Sequence, residues 1–193
     1  ILSTEGRAFT LAVASLPDGR GMGAPLSSFV ELGTGKIAHV LTGLPGDELL
    51  IAKTSGYGFV CTYADLLSRQ KAGKSFLSVE EGATILPPVR LAGKDHLAAL
   101  SEDGRLLVFP LEQMKRLSAG KGVQIIGLHD NESLRAVIAT QGDRVTIKGM
   151  FRNRIKTLLS EDRHLGQRAR RGSPVGQLGQ VMLAAYPERG EGN

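Results

Sequence analysis

Basic residues set beside glycines are the groups in this chain best suited to chemistry. Lys71-Ala72-Gly73-Lys74, Ser118-Ala119-Gly120-Lys121-Gly122 and Arg168-Ala169-Arg170-Arg171-Gly172 each place cations on a glycine-containing turn, and Gly19-Arg20-Gly21-Met22-Gly23 does so near the start. A cation on a turn can meet a phosphate oxygen, and an adjacent glycine leaves room for backbone amides to approach the same anion. The charge distribution points the same way. Between Lys148 and Gly172, eight basic residues (Lys148, Arg152, Arg154, Lys156, Arg163, Arg168, Arg170 and Arg171) face only Glu161 and Asp162. From Ile1 to Ile147 the charges balance to zero, while the whole chain carries +5. Such a concentrated field attracts polyanions through counterion release, nucleic acid foremost.

Other chemistries find little footing. Gly73-Lys74-Ser75 ends like a phosphate loop, but the spacing needs glycine where Ser68 stands. Gly21-x-Gly23 lacks the third glycine of a dinucleotide fingerprint, since position 26 is Leu26. Gly172-Ser173-Pro174-Val175-Gly176 sets its serine one place early for a nucleophile elbow. His39, His96, His129 and His164 lie far apart along the chain and read as surface or core histidines, so no metal is expected. The aspartates Asp18, Asp47, Asp95, Asp103, Asp130 and Asp143 are scattered, which counts against a propeller hydrolase. Cys61 excludes an internal disulfide and reads as a small packed hydrophobe. No apolar run approaches the ~20 residues of a membrane span, and the start lacks the pattern of a secretory signal. A reducing cytoplasm is expected. The chain begins in a strand-like pattern without methionine and reads as a piece of something longer.

The elements that must carry these turns are repetitive. Ser3-Thr4-Glu5-Gly6, Thr54-Ser55-Gly56, Ser101-Glu102-Asp103-Gly104 and Thr140-Gln141-Gly142 align as four tight turns, with hydroxyls to bond local backbone and glycines to accept positive φ. Three residues after each glycine stand Phe9, Phe59, Leu107 and Val145, and five after stand Leu11, Cys61, Phe109 and Ile147. A period of two marks a buried strand face. Ile51, Ala99 and Val137 form a matching column five residues upstream, so each unit reads as a β-hairpin. A basic glycine turn follows at a similar distance from the hairpin in each of the first three units. In the fourth it comes about twice as far on, which implies an insertion near 149–165. Further strands are expected at Lys36–Leu41, Ile85–Leu91, Val123–Leu128 and Gln180–Tyr186. Asp65–Arg69, Leu111–Arg116 and Phe151–Ser160 read as short turns or helices. The near-regular spacing of Gly6, Gly56, Gly104 and Gly142 suits propeller-like blades. The expectation is an all-β array of about four blades in one domain, 1–187, with repeats near 1–48, 49–96, 97–134 and 135–187 and a tail at 188–193. A single irregular β-sandwich is the other arrangement open to the pattern.

Several of these segments together resemble a known family. Ser55-Gly56-Tyr57-Gly58-Phe59-Val60-Cys61-Thr62, then Asp65-Leu66 and Ala72-Gly73-Lys74, are similar to the gyrase A / ParC C-terminal domain family, in its topoisomerase IV branch. So are Leu107-Val108-Phe109-Pro110 with Ser118-Ala119-Gly120-Lys121-Gly122, and Leu16-Pro17 with Arg20-Gly21-Met22-Gly23-Ala24-Pro25-Leu26. The resemblance runs to about Ile126 and resumes at Arg168–Gly172. It implies a β-pinwheel, a propeller-like disc whose blades exchange strands, open or lacking a blade upstream of Ile1. It also implies a basic outer rim for duplex DNA. The glutamine-arginine-arginine-glycine-glycine-lysine-glycine box of the gyrase domain is not reproduced, which favours modest bending over tight wrapping.

On that resemblance the fragment is non-catalytic and binds duplex DNA to set topological preference, favouring decatenation and relaxation of positive supercoils. None of Tyr57, Tyr63 and Tyr186 takes the DNA-cleaving role, which the family gives to its breakage–reunion region. The implied partners are that N-terminal region and the ParE protein in an A2B2 holoenzyme, which would use ATP and Mg²⁺, at the bacterial nucleoid. The candidate phosphate contacts are Arg20, Arg69, Lys71, Lys74, Lys115, Arg116, Lys121, Arg152, Arg154, Arg168, Arg170 and Arg171. No recognition helix or zinc finger is evident, so sequence-tolerant binding is expected. A propeller-like protein-interaction scaffold without DNA affinity is the alternative.

Overall fold

A computed structural model describes residues 1–176 and 178–185. Tyr186, the last residue of the expected final strand, Pro187 and the 188–193 tail lie outside the described residues.

Strands follow one another in a repeating order. The first unit has β1 (Leu2–Ser3), β2 (Arg7–Ala8) and β3 (Ile37–His39). The second has β4 (Glu48–Ala52), β5 (Tyr57–Thr62), β6 (Lys74–Ser75) and β7 (Val89–Arg90). The third has β8 (His96–Ser101), β9 (Arg105–Pro110), β10 (Val123–Gln124) and β11 (Leu134–Thr140). The fourth has β12 (Val145–Phe151), β13 (Arg154–Leu159), β14 (Ser173–Pro174) and β15 (Gly179–Ala185). They form four antiparallel sheets, ordered β3-β1-β2-β6, β10-β5-β4-β7, β11-β8-β9-β14 and β13-β12-β15. Each of the later three units thus makes a hairpin, gives its next strand to the preceding sheet, and returns a strand to its own. This is the strand exchange of a pinwheel.

The sheets stack face to face. Leu49 and Ile51 of β4 pack with Leu2 and Ala8 of the first sheet, while Leu50 and Ala52 pack with Leu97 and Ala99 of the third. Likewise Ala98 and Leu100 of β8 face Val145 and Ile147 of the fourth. A strand covered on both faces needs a continuous apolar run rather than an alternation, which is why β4 reads Leu-Leu-Ile-Ala and β9 reads Leu-Leu-Val-Phe.

Glycine makes the exchange possible. Gly6, Gly56 and Gly104 have φ of 75°, 83° and 71°, and their carbonyls accept bonds from Leu77 (2.8 Å), Ile125 (2.7 Å) and Val175 (3.0 Å), just past the donated strands. The glycine before each donated strand meets the hairpin from the other side. A Cβ on Gly73, Gly122 or Gly172 would lie 2.6, 2.4 or 2.7 Å from the carbonyl oxygen of Ala8, Gly58 or Leu106. Gly73, Gly122 and Gly172 of the basic turns are therefore required by blade-to-blade contact.

Three readings of the sequence are corrected. The fourth hairpin does not turn at Gly142: β11 pairs with β8 of the third sheet, and β12 pairs with β13 and β15. It turns at Arg152-Asn153, both at positive φ (48° and 62°), as a two-residue hairpin loop requires. Phe151–Ser160 is accordingly strand, not helix, because β12 supplies a pairing partner from Phe151↔Arg154 to Thr146↔Leu159. The supposed insertion is this ordered hairpin. The other two short segments fold as one helical turn, Tyr63–Leu66, and a 3₁₀ turn, Leu111–Gln113.

Candidate nucleic-acid interface

The exchange seams absorb many of the cations. Arg7 donates to the carbonyls of Ala72 (2.8 Å) and Gly73 (3.1 Å), and Arg105 donates to Gly172 (3.1 Å). Each is the residue after a hairpin glycine and grips the turn that enters its sheet. Tyr57 holds that place in the second sheet, and the Lys121 ammonium lies 4.4 Å from its ring centre.

Acids answer the cations of the exchanged turns. Lys121 lies 3.5 Å from Glu80, and Arg171 lies 2.6 Å from Glu132 and 3.7 Å from Asp103. Glu80 also binds Lys53, whose side chain is 0% exposed, at 2.9 Å, and Lys53 donates to the Ser78 carbonyl at 2.6 Å. Burial alone would raise the Glu80 carboxyl, but hydrogen bonds from Lys53, its own amide and Ser55, with the Lys53 charge, hold it at about 2. Glu132 is likewise pushed up by burial, yet held below its usual range by hydrogen bonds, including those from the His129 amide and Arg171, and by the Arg171 charge.

The twelve candidate cations therefore divide. Arg116 binds Glu48 (2.8 Å). Arg168 donates to the Gln113 carbonyl (2.9 Å) and the Gln124 carbonyl (2.6 Å). With Lys121 and Arg171, these are engaged by protein groups. Arg20, Arg69, Lys71, Lys74, Lys115, Arg152, Arg154 and Arg170 have no carboxylate within 4 Å among the described residues. Arg20, Arg69, Lys71, Lys115 and Arg170 are exposed on loops, and Lys74 is half-buried in β6.

Arg152 and Arg154 belong to a denser group. Lys148 and Lys156 stand exposed on the same hairpin, and neither has an acid partner among the described residues. No acid occurs between Arg144 and Ser160. The Phe151 ring lies 5.2 Å from the Arg152 guanidinium and 5.5 Å from the Lys156 ammonium. Lys148 and Lys156 were not among the candidate contacts; an acid-free run alternating with apolar residues was the available signal. Lys53 gave a weaker one, as a lysine where the aligned units have Ser3 and Ser101.

The remaining reactive side chains are packed. Cys61 is buried, and burial, with Asp65 and Glu48 nearby, pushes its thiol up to about 12. His164 is buried, accepts from the Glu161 amide at 2.9 Å and contacts the Pro174 carbonyl at 3.3 Å. Among the described residues no three His, Cys, Asp or Glu lie close enough to hold a metal ion, and no helix is long and apolar enough to cross a membrane.

This architecture matches a solved structure, the E. coli ParC C-terminal domain, with a TM-score of 0.85 and 30% identity over 95% of this chain and 78% of that one. The chain belongs to the ParC C-terminal domain family. The A subunit of Neisseria gonorrhoeae DNA topoisomerase 4 is 36% identical over 151 residues, and that of Haemophilus influenzae is 34% identical over 183. Those alignments cover 75% and 90% of this ParC-type domain but only 20% and 24% of the relatives. The gyrase A C-terminal domain shares the fold, with a TM-score of 0.67 at 17% identity. No family model matches the sequence.

Proposed function

We propose that this ParC-type domain is a non-catalytic, duplex-DNA-binding part of a type II topoisomerase. The observation that carries the reading is the set of cations left without acid partners among the described residues, in a chain where Arg116, Lys121 and Arg171 are taken up by the blade seams. Phosphate contacts need charges that the protein itself has not neutralised. Arg20, Arg69, Lys71, Lys115, Arg152, Arg154 and Arg170 meet that condition, as does Lys74, half-buried in β6. Arg116, Lys121, Arg168 and Arg171 contribute to the field while holding the blades together.

Bending a duplex over a short arc costs on the order of 1–6 kcal/mol, which a handful of phosphate contacts offsets. Modest bending is the expected outcome. In the holoenzyme the domain would hold a segment remote from the cleavage site and bias the enzyme towards decatenation and positive supercoils. The breakage–reunion region and ParE would supply cleavage, ATP and Mg²⁺ chemistry.

The test is a gel-shift titration with linear duplex across salt. Binding at ~50 mM salt that weakens steeply with added salt is expected. Absence of binding at that salt would leave the protein-scaffold reading standing. Loss of decatenation preference, with cleavage intact, on deleting the domain from the holoenzyme would test the finer claim.

A further inference from the structure

The hairpin β12–β13 differs from every other hairpin in the chain. β12 is paired on its second side by β15 only as far as Met150↔Gly179, and β13 has no strand on its outer edge among the described residues. Paired residues of an antiparallel ladder share a face, so the register sorts the cations. Lys156, opposite Gly149, and Arg154, opposite Phe151, lie on the face that continues from Ile147 and Leu158. Lys148, opposite Thr157, lies on the other face with Met150 and Ile155. Arg152 sits in the turn. Positive charge thus stands on both faces and at the tip of a ribbon with one edge unpaired among the described residues.

A ribbon that lay flat on one phosphate backbone would use one charged face and leave the other in water. Two charged faces suit a position between two backbones. Face to face, a sheet with its side chains is about 10 Å thick, so the ribbon matches the roughly 12 Å major groove, not the roughly 6 Å minor groove. Ile155, 76% exposed, gives the same ribbon an apolar contact for thymine methyl groups. Arg152 and Asn153, both non-glycine at positive φ, hold the turn in a conformation such residues rarely adopt.

We propose that the β12–β13 hairpin is the domain's main DNA anchor and enters the major groove tip-first, with Lys148 reaching the phosphates of one strand and Arg154 and Lys156 those of the other. Arg152 leads, and the Phe151 ring steadies the neighbouring cations. This rests on the DNA-binding reading above and deepens it by naming the element and the groove.

The test compares the wild-type chain with two variants. One carries Lys148→Gln, Arg152→Gln, Arg154→Gln and Lys156→Gln; the other carries Arg20→Gln, Arg69→Gln and Lys71→Gln. All these positions are exposed, and urea midpoints check folding. Should the fourfold variant not fold, the pair Arg154→Gln with Lys156→Gln takes its place. For the hairpin variant we expect binding weaker by more than about tenfold and a salt slope smaller by about 4, or about 2 for the pair. Dimethyl sulfate should find guanine N7, which faces the major groove, protected by wild type and reactive with the hairpin variant. Hairpin variants that bind like wild type, while the loop variant weakens, would overturn the anchor and leave the DNA reading intact. Unprotected N7 despite tight binding would overturn groove entry. A wild-type chain without salt-sensitive binding would remove the DNA reading itself.

Discussion

The third and fourth hairpins differ in what covers them. Both faces of β8 and β9 are packed, by the second sheet on one side and the fourth on the other, and β14 closes the outer edge. The fourth hairpin packs through Val145, Ile147 and Leu158 on one face. Its other face bears Lys148, Met150 and Ile155, and Met182 of β15 beside them is 63% exposed. The charges follow the packing. At the third hairpin, Arg105, Arg168 and Arg171 are engaged by carbonyls and carboxylates of the seam. At the fourth, four cations have no acid partner among the described residues. Positive charge in this fold therefore falls in two settings, and packing separates them where composition cannot.

Breaking the seam where β10 joins β5 should have the largest effect on stability. Gly122 has φ of 86°, and a Cβ there would lie 2.4 Å from the Gly58 carbonyl oxygen. Gly122→Ala combines backbone strain with a clash against main chain, and should cost about 4 kcal/mol in urea unfolding. Gly23→Ala is the control. It shares positive φ, 75°, but its Cβ would meet nothing within 4 Å, so about 1 kcal/mol is expected. Equal losses would mean that blade contact does not explain the glycines.

Arg171→Met comes next. The Glu132 side chain is 2% exposed and would be left charged beside a removed partner. A loss of about 3 kcal/mol is expected. A smaller loss accompanied by weaker DNA binding would move Arg171 from the seam to the interface.

Acid should loosen the same seams. The Glu80 carboxyl sits at about 2 against an ordinary 4.5, and Glu132 is also lowered. A group lowered on folding stabilises fully above its unfolded value and loses that contribution as pH falls towards its folded value. Urea midpoints should therefore fall between about pH 4.5 and pH 2, and Glu80→Gln should flatten the fall. An unchanged profile would remove the Lys53–Glu80 contact from the account.

Much of the blade array was legible because its signals are local. Hairpin glycines and the apolar columns on either side of them each follow from one strand's own surroundings. The fourth unit was misread because Thr140-Gln141-Gly142 has the same turn chemistry as the true hairpins, while Arg152-Asn153 turns without glycine. What decides between them is the pairing of β11 with β8, a contact between distant segments that no local pattern carries. The candidate cations were legible as charge but not in their contacts. Arg168 and Arg170 look alike in sequence; only folding shows that Arg168 reaches the carbonyls of Gln113 and Gln124 while Arg170 faces water. The basic turns read as phosphate cradles because glycine beside a cation serves phosphate approach and blade contact equally well.

The smallest stability effect should come from the fourth hairpin, and it sharpens the comparison most. Arg154→Gln removes an exposed charge that touches no acid among the described residues, so unfolding should shift by no more than about 0.5 kcal/mol. If the charge meets phosphate, the salt slope of DNA binding should fall by about 1. Arg168→Gln should do the reverse: it removes a guanidinium held at 2.9 and 2.6 Å by two carbonyls, so stability falls by about 1–3 kcal/mol while the slope stays within error. Each variant controls for the other, since a general loosening of the fold would move both readouts together. If Arg154→Gln destabilised the chain and spared binding, the unpartnered cations would belong to the fold after all, and the division of charge between seam and surface would fail.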